Sequence, residues 1–119
     1  MDIQDKTIIF LGDSITQGVG ASKNECIYHQ VLKRQYNLKE ALNFGISGTR
    51  FARQHSPSEN PEYDLDFCSR IYSLPENADM VVVFGGTNDF GHGDAPMGKF
   101  SDRSETTFYG ACHYLMKNL

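Results

Sequence analysis

The stretch that decides the fold is residues 7–18, TIIFLGDSITQG. Its first five residues are apolar or β-branched without alternation, a pattern typical of a strand that is buried on both faces of a parallel sheet. The run stops at Gly12, and Asp13 and Ser14 follow at once. Because ligands bind beyond the carboxyl ends of such strands, Ser14 is the first candidate for chemistry. On this stretch alone a second interpretation is equally well supported, namely that Asp13 or Ser14 merely caps the next helix, because Asp and Ser often cap helices at strand-to-helix joints.

The rest of the chain alternates strands with helices. Continuous apolar runs predict strands over 41–44 and 79–84, and apolar residues at helical spacing predict helices over 24–36, 64–74 and 104–119. Residues 49–63 and 90–103 are expected to be long loops. This order predicts an α/β fold, a three-layer (αβα) flavodoxin-like parallel sheet of about three strands. Since crossovers are right-handed, we expect the first strand to be central, within a single domain over residues 1–119.

Composition and charge reduce the number of functional classes to which the chain could belong. The formal net charge of -4 and the scattered basic residues argue against a nucleic-acid-binding surface. No apolar stretch approaches the length of a membrane span and the N-terminus lacks the pattern of a secretory signal, so we expect no membrane partner and a cytoplasmic location. The 3 cysteines and 4 histidines are widely spaced, which predicts no metal and no other cofactor. His29 lies on the more polar side of its predicted helix and is expected to be solvated.

Three short motifs lie at the ends of the three predicted strands: Gly12-Asp13-Ser14-Ile15-Thr16, Asn43-Phe44-Gly45 and Gly86-Thr87-Asn88-Asp89. In this order they resemble the blocks of the GDSL-type ester hydrolases, also called SGNH hydrolases. The resemblance implies a serine esterase or acylhydrolase with Ser14 as nucleophile. It also implies an oxyanion hole formed by the backbone N–H groups of Ser14 and Gly45 and the side-chain amide of Asn88. The implied substrate is a small-molecule carboxylic ester, with a short acyl group or with a carbohydrate or lipid portion.

A fourth block of this family, Asp-x-x-His, supplies the general base, and no such block follows the last predicted helix. We therefore expect the chain to be the N-terminal portion of a longer hydrolase, with a domain that is incomplete at its C-terminus. Asp89 and His92 have the same spacing, but we interpret it as coincidence because Asp89 already belongs to the third motif. His92, Asp94 and Arg50 are instead expected to line a substrate cleft, whereas His55 and His113 are expected at the surface.

The missing block leaves two functions open. One is an ester hydrolase scaffold that acts through Ser14, and the alternative is a catalytically incompetent fragment or binding module that keeps the cleft. We also expect self-association through an exposed sheet edge at residues 80–84, since unpaired strand edges recruit other chains.

Overall fold

A computed structural model describes residues 2–119, which form two compact units. The sheet unit comprises Met1–Ser47 and Pro75–Phe84, and the helical unit comprises Gly48–Leu74 and Gly85–Leu119. The strands are β1 (Thr7–Gly12), β2 (Glu40–Gly45) and β3 (Met80–Phe84). The helices are α1 (Ser14–Gln17), α2 (Tyr28–Tyr36), α3 (Phe67–Arg70), α4 (Thr87–His92) and α5 (Phe108–Asn118), with 3-10 turns at Asn24–Cys26, Pro61–Asp64 and Ile71–Ser73.

The sheet is parallel and has the strand order β2-β1-β3, so the predicted α/β class and the central position of the first strand are confirmed. Being paired on both sides, β1 is the most buried strand, and Ile9 and Leu11 are both 0% exposed. The strands end in register, because Gly12 is opposite both Gly45 and Phe84. Whatever follows these residues therefore starts from one edge of the sheet.

The predicted helix over 24–36 is interrupted. Ile27 takes an extended conformation, with φ -67° and ψ 139°, between the 3-10 turn and α2. Its side chain is buried beside Gly18, at which a Cβ atom would lie 2.5 Å from Ile27 Cδ1. Burial of one large apolar side chain thus overrides the local helical period.

Two further boundaries differ from the prediction in the helical unit. The expected helix over 64–74 is reduced to α3 and its flanking 3-10 turns, because the Asp66 carboxylate caps the new helix by accepting from Ser69 N at 2.9 Å. The loop expected over 90–103 begins only after α4, which ends at His92. Within residues 2–119, no helix is both long and apolar enough for a membrane span.

A compact aromatic and aliphatic core fills the helical unit. The rings of Phe51 and Phe67 lie 4.6 Å apart between centroids, and α5 contributes Ala111 and Leu115, both 0% exposed. Helix α5 begins at Phe108 because the Thr107 hydroxyl accepts a hydrogen bond from Gly110 N at 3.1 Å. Ala111 and Leu115 of its apolar stripe are buried, whereas Met116 and Leu119 of the same stripe are exposed.

We expect Leu115→Ala to lower the free energy of unfolding by about 2–5 kcal/mol, because it removes buried methyl groups and leaves a cavity. The matched control is Met116→Ala, since Met116 is the next residue of the same helix and is 66% exposed. This control should change stability by less than about 0.5 kcal/mol. Chemical denaturation of both variants measures the difference, and equal losses would contradict the assigned core.

Candidate active site

Ser14 stands at the carboxyl edge of the central strand, as the first residue of α1. The Asp13 carboxylate caps this helix by accepting from Ile15 N at 3.1 Å. The capping role, which the sequence allowed for either residue, therefore falls to Asp13 and not to Ser14. Among residues 2–119, no group forms a hydrogen bond with Ser14 Oγ or accepts one from Ser14 N–H. Ser14 is half-buried, and its hydroxyl is free of hydrogen bonds within this part of the chain.

Helix α1 is held in place by two side chains of α2. The hydroxyls of Thr16 and Tyr28 lie 2.9 Å apart, and His29 Nε2 donates to the Thr16 carbonyl at 2.9 Å. Burial raises the pKa of the Tyr28 hydroxyl, and the negative charge of Asp13 acts in the same direction. Tyr28 therefore stays neutral and able to donate at physiological pH. These contacts lie two residues along the chain from Ser14.

The expectation that His29 is solvated is wrong, because this side chain is 0% exposed. Its Nδ1 accepts from Gln30 Nε2 at 3.0 Å, while its Nε2 faces a carbonyl oxygen. A carbonyl only accepts and an amide nitrogen only donates, so the ring is neutral with its proton on Nε2. Helical periodicity could not reveal this, because the partner of His29 is a backbone group of another helix.

Gly45 packs directly on the backbone of α1. A Cβ atom at this position would lie 2.2 Å from Gln17 N, so no other residue fits without displacing the helix. The Gly45 N–H already donates to Asn43 Oδ1 at 2.9 Å, and Asn43 Nδ2 donates to the Gln17 carbonyl at 3.2 Å. The structure thus brings Gly45 and the helix of Ser14 together, with the Gly45 amide engaged by Asn43.

Asn88 belongs to the helical unit, where both ends of its amide have partners. Nδ2 donates to the Thr49 carbonyl at 2.9 Å, and Oδ1 accepts from His92 Nε2 at 2.9 Å. An amide nitrogen carries two hydrogens, so one N–H remains for another acceptor. The orientation of the amide is therefore determined by its contacts.

Asp89 and His92 do not form a hydrogen-bonded pair. The Asp89 carboxylate accepts from Phe51 N at 2.9 Å and Ala52 N at 3.2 Å, and burial raises its pKa. The two ring nitrogens of His92 contact Asn88 and Arg50. Their Asp-x-x-His spacing thus does not produce the carboxylate–imidazole arrangement of a general base.

The other residues expected in a cleft have structural roles within the helical unit. Arg50 is only 4% exposed and donates to Ser58 Oγ at 2.7 Å. The Asp94 carboxylate accepts from His55 N at 2.7 Å and Ser56 N at 2.8 Å. His55 and His113 are exposed, as expected. Across the described residues 2–119, no three His, Cys, Asp or Glu side chains form a cluster suited to a metal ion.

Gly48 is a further residue of interest that the sequence analysis did not single out. It has φ 79°, and a Cβ atom there would lie 2.3 Å from the Tyr63 ring. Its N–H donates to no group within residues 2–119. A second glycine just after a strand-end motif was the available signal, because glycine marks a positive φ or a close approach.

Gly45→Ala should lower the free energy of unfolding by about 1–3 kcal/mol, because the added methyl group overlaps the α1 backbone. Gly91→Ala is the control, since a Cβ atom at Gly91 would meet nothing within 4 Å. Thermal unfolding followed by circular dichroism compares the two. A Gly45→Ala protein as stable as the wild type would contradict the close packing described above.

The Asp94 contacts predict an acid-dependent part of the stability. Hydrogen bonding from His55 N holds the pKa of Asp94 below its ordinary value of 3.8. A lowered folded-state pKa stabilises the protein above the unfolded-state pKa, and this contribution is lost as the pH falls through the folded-state value. Asp94→Asn should therefore be less stable than the wild type at pH about 6, with the difference narrowing from about pH 5 to pH 3.

Denaturant titrations across this range measure the Asp94 effect, with Glu76→Gln as control because Glu76 is exposed. A constant difference between Asp94→Asn and the wild type at every pH would contradict the assignment.

A model of the GDSL-like Lipase/Acylhydrolase family matches residues 10–107. A solved protein from Lactobacillus plantarum is 34% identical over 97% of this chain and 50% of its own, with a TM-score of 0.73. A candidate GDSL-like lipase from Bacteroides uniformis is 25% identical over 95% of this chain and 64% of its own, with a TM-score of 0.65. A carbohydrate acetylesterase family member from Sinorhizobium meliloti shares the fold at 20% identity, over 71% of this chain and 43% of its own, with a TM-score of 0.57.

The chain thus spans about half the length of the Lactobacillus plantarum protein. No curated protein matches it. The family match nevertheless covers residues 10–107 of 119, including all three strand-end motifs. The chain belongs to the GDSL-like lipase/acylhydrolase family.

Proposed function

We propose that this chain is a serine ester hydrolase scaffold that cleaves small-molecule carboxylic esters through Ser14. The observation that carries the proposal is the uncommitted Ser14 hydroxyl at the carboxyl edge of the central strand, with Asp13 as the helix cap. Membership of a hydrolase family supports the same chemistry. An esterase nucleophile needs a side chain that is fixed by its backbone yet free to attack, and Ser14 meets both requirements.

In the proposed reaction, Ser14 Oγ attacks the ester carbonyl carbon and loses its proton to a base. The carbonyl π electrons move to the oxygen, which becomes an oxyanion on a tetrahedral intermediate. When the intermediate collapses, the bond to the alcohol oxygen breaks and that oxygen takes up a proton. Water then cleaves the acyl–Ser14 ester by the same sequence of steps.

The oxyanion requires neutral donors that are already in place, each worth about 2.7–4 kcal/mol of barrier. The Ser14 N–H and the remaining N–H of Asn88 have no other acceptor within residues 2–119, which supports their proposed roles. The proposed role of Gly45 requires Asn43 Oδ1 to release its N–H first.

A small apolar hollow lies in the helical unit. It has a volume of about 100 Å3 and is lined by Gly86, Asp89, Phe90, Ala95, Met97 and Phe108. Gly86 and Asp89 belong to the same strand-end motif as Asn88. We propose an acetyl or similarly short acyl group, as the resemblance implies, with the alcohol portion left open between carbohydrate and lipid.

The alternative function is a catalytically incompetent fragment or binding module. It is favoured by one observation, that no base contacts Ser14 Oγ within residues 2–119. Losing the general base of such a unit can lower turnover by about 10⁶-fold, with only oxyanion stabilisation and binding remaining. The resemblance assigns this base to an Asp-x-x-His block.

Hydrolysis of p-nitrophenyl acetate by the wild type and by Ser14→Ala tests the proposal. We expect slow hydrolysis that depends on Ser14 and that rises when imidazole is added as an external base, after subtraction of the Ser14→Ala rate. Ser22→Ala, at an exposed serine, is the control and should behave as the wild type. Equal rates for wild type and Ser14→Ala, with and without imidazole, would support the fragment function instead.

A further inference from the structure

Asn88 is the centre of a connected set of side chains within the helical unit. Its Nδ2 donates to the carbonyl of Thr49, a residue that is 0% exposed, and its Oδ1 accepts from His92 one turn later on α4. A flipped amide would place Oδ1 against the Thr49 carbonyl and Nδ2 against the His92 N–H. Both contacts would become repulsive, so one orientation of the amide is selected.

Selection of that orientation depends on which nitrogen of His92 carries the proton. Nδ1 of His92 lies 3.3 Å from Arg50 NH1, and the same guanidinium nitrogen donates to the His92 carbonyl at 3.0 Å. A guanidinium group has donors only, so Nδ1 is the acceptor and the ring proton is on Nε2. Arg50 thereby fixes the tautomer that donates to Asn88 Oδ1.

Arg50 is itself fixed by groups from elsewhere in the unit. Besides Ser58 Oγ, its NH2 donates to the Tyr63 carbonyl at 3.2 Å and to Asp64 Oδ1 at 3.3 Å. Hydrogen bonds from Ser58, together with the charge of Arg50, lower the pKa of Asp64, so this carboxylate stays ionised at neutral pH. The guanidinium is thus buried and hydrogen-bonded through both terminal nitrogens, while its Nε has no hydrogen-bond partner within the described residues.

We propose that Arg50 and His92 are positioning residues that hold the Asn88 amide with its free N–H available to the reacting carbonyl oxygen. The catalytic consequence of this inference rests on the proposed esterase function. The hydrogen bonds around Asn88 lie entirely within the helical unit. The proposal assigns His92 a role as a neutral donor to Asn88, distinct from that of a general base. Misplacing a donor by a small distance can lower the rate by up to about 10²-fold.

The first test uses the wild-type chain and needs no activity. Long-range 1H–15N spectra report the protonation of each ring nitrogen, and we expect His92 to be protonated on Nε2 and unprotonated on Nδ1 at pH about 8, where histidines are mostly neutral. The opposite tautomer, or free exchange between the two, would overturn the proposal.

The second test compares His92→Ala, His92→Gln and the control His113→Ala, because both histidines are exposed and His113 lies in the same unit. The side-chain amide signals of Asn88, assigned through Asn88→Asp, should shift and exchange faster with solvent in His92→Ala. They should remain close to the wild type in His113→Ala and in His92→Gln, whose amide keeps a neutral donor. Unchanged Asn88 signals in His92→Ala would overturn the proposal.

Turnover of p-nitrophenyl acetate separates this inference from the proposed function. If the chain shows Ser14-dependent hydrolysis, His92→Ala should lower kcat by about 10-fold to 10²-fold with little change in KM, and His92→Gln should recover most of it. A change in KM alone would overturn the positioning role in catalysis. If hydrolysis is independent of Ser14 while the Asn88 signals respond as expected, the esterase function fails and the arrangement around Asn88 stands.

Discussion

The close approach of α1 to the end of β2 is the constraint on which the candidate site depends. At four residues, α1 is too short to be stable alone, so tertiary contacts must hold it. A Cβ atom on Gly45 would lie 2.2 Å from the α1 backbone, while Thr16 is fixed from the other helix by Tyr28 and His29. Ser14 is thus held by the strand before it and by contacts two and three residues after it.

The features of the fold that were predictable from the sequence are those that repeat along the chain. The unbroken apolar run before Gly12 indicated a buried central strand, and right-handed crossovers then placed the other strands on its two sides. The break at Ile27 and the burial of His29 were not predictable, because each depends on one contact with a distant backbone segment. A periodic pattern carries no information about such single contacts.

The sequence motifs could predict which residues belong to the candidate site. They could not predict which N–H groups there are free to donate a hydrogen bond to a ligand. Motif order gave Ser14, Gly45 and Asn88 as candidates. Only the hydrogen-bond partners show that the Gly45 N–H is engaged by Asn43, while that of Gly48 has no partner within residues 2–119. Asp89 illustrates the same difference. It is adjacent to Asn88 in the motif, but its carboxylate braces the backbone of Phe51 and Ala52 instead of contacting His92.

The arrangement around Asn88 also has an electrostatic logic. A guanidinium placed directly at the reacting oxygen would attract any anion, including a carboxylate product, and binding that is equal in ground and transition states does not accelerate the chemical step. Arg50 is instead buried against Asp64 and acts on Asn88 only through the neutral ring of His92. The charge of Arg50 selects the His92 tautomer that is protonated on Nε2. That tautomer in turn fixes the orientation of the Asn88 side-chain amide. Under the proposed function, the Asn88 amide would offer the substrate an oriented neutral dipole, whose interaction strengthens as negative charge develops on the oxygen.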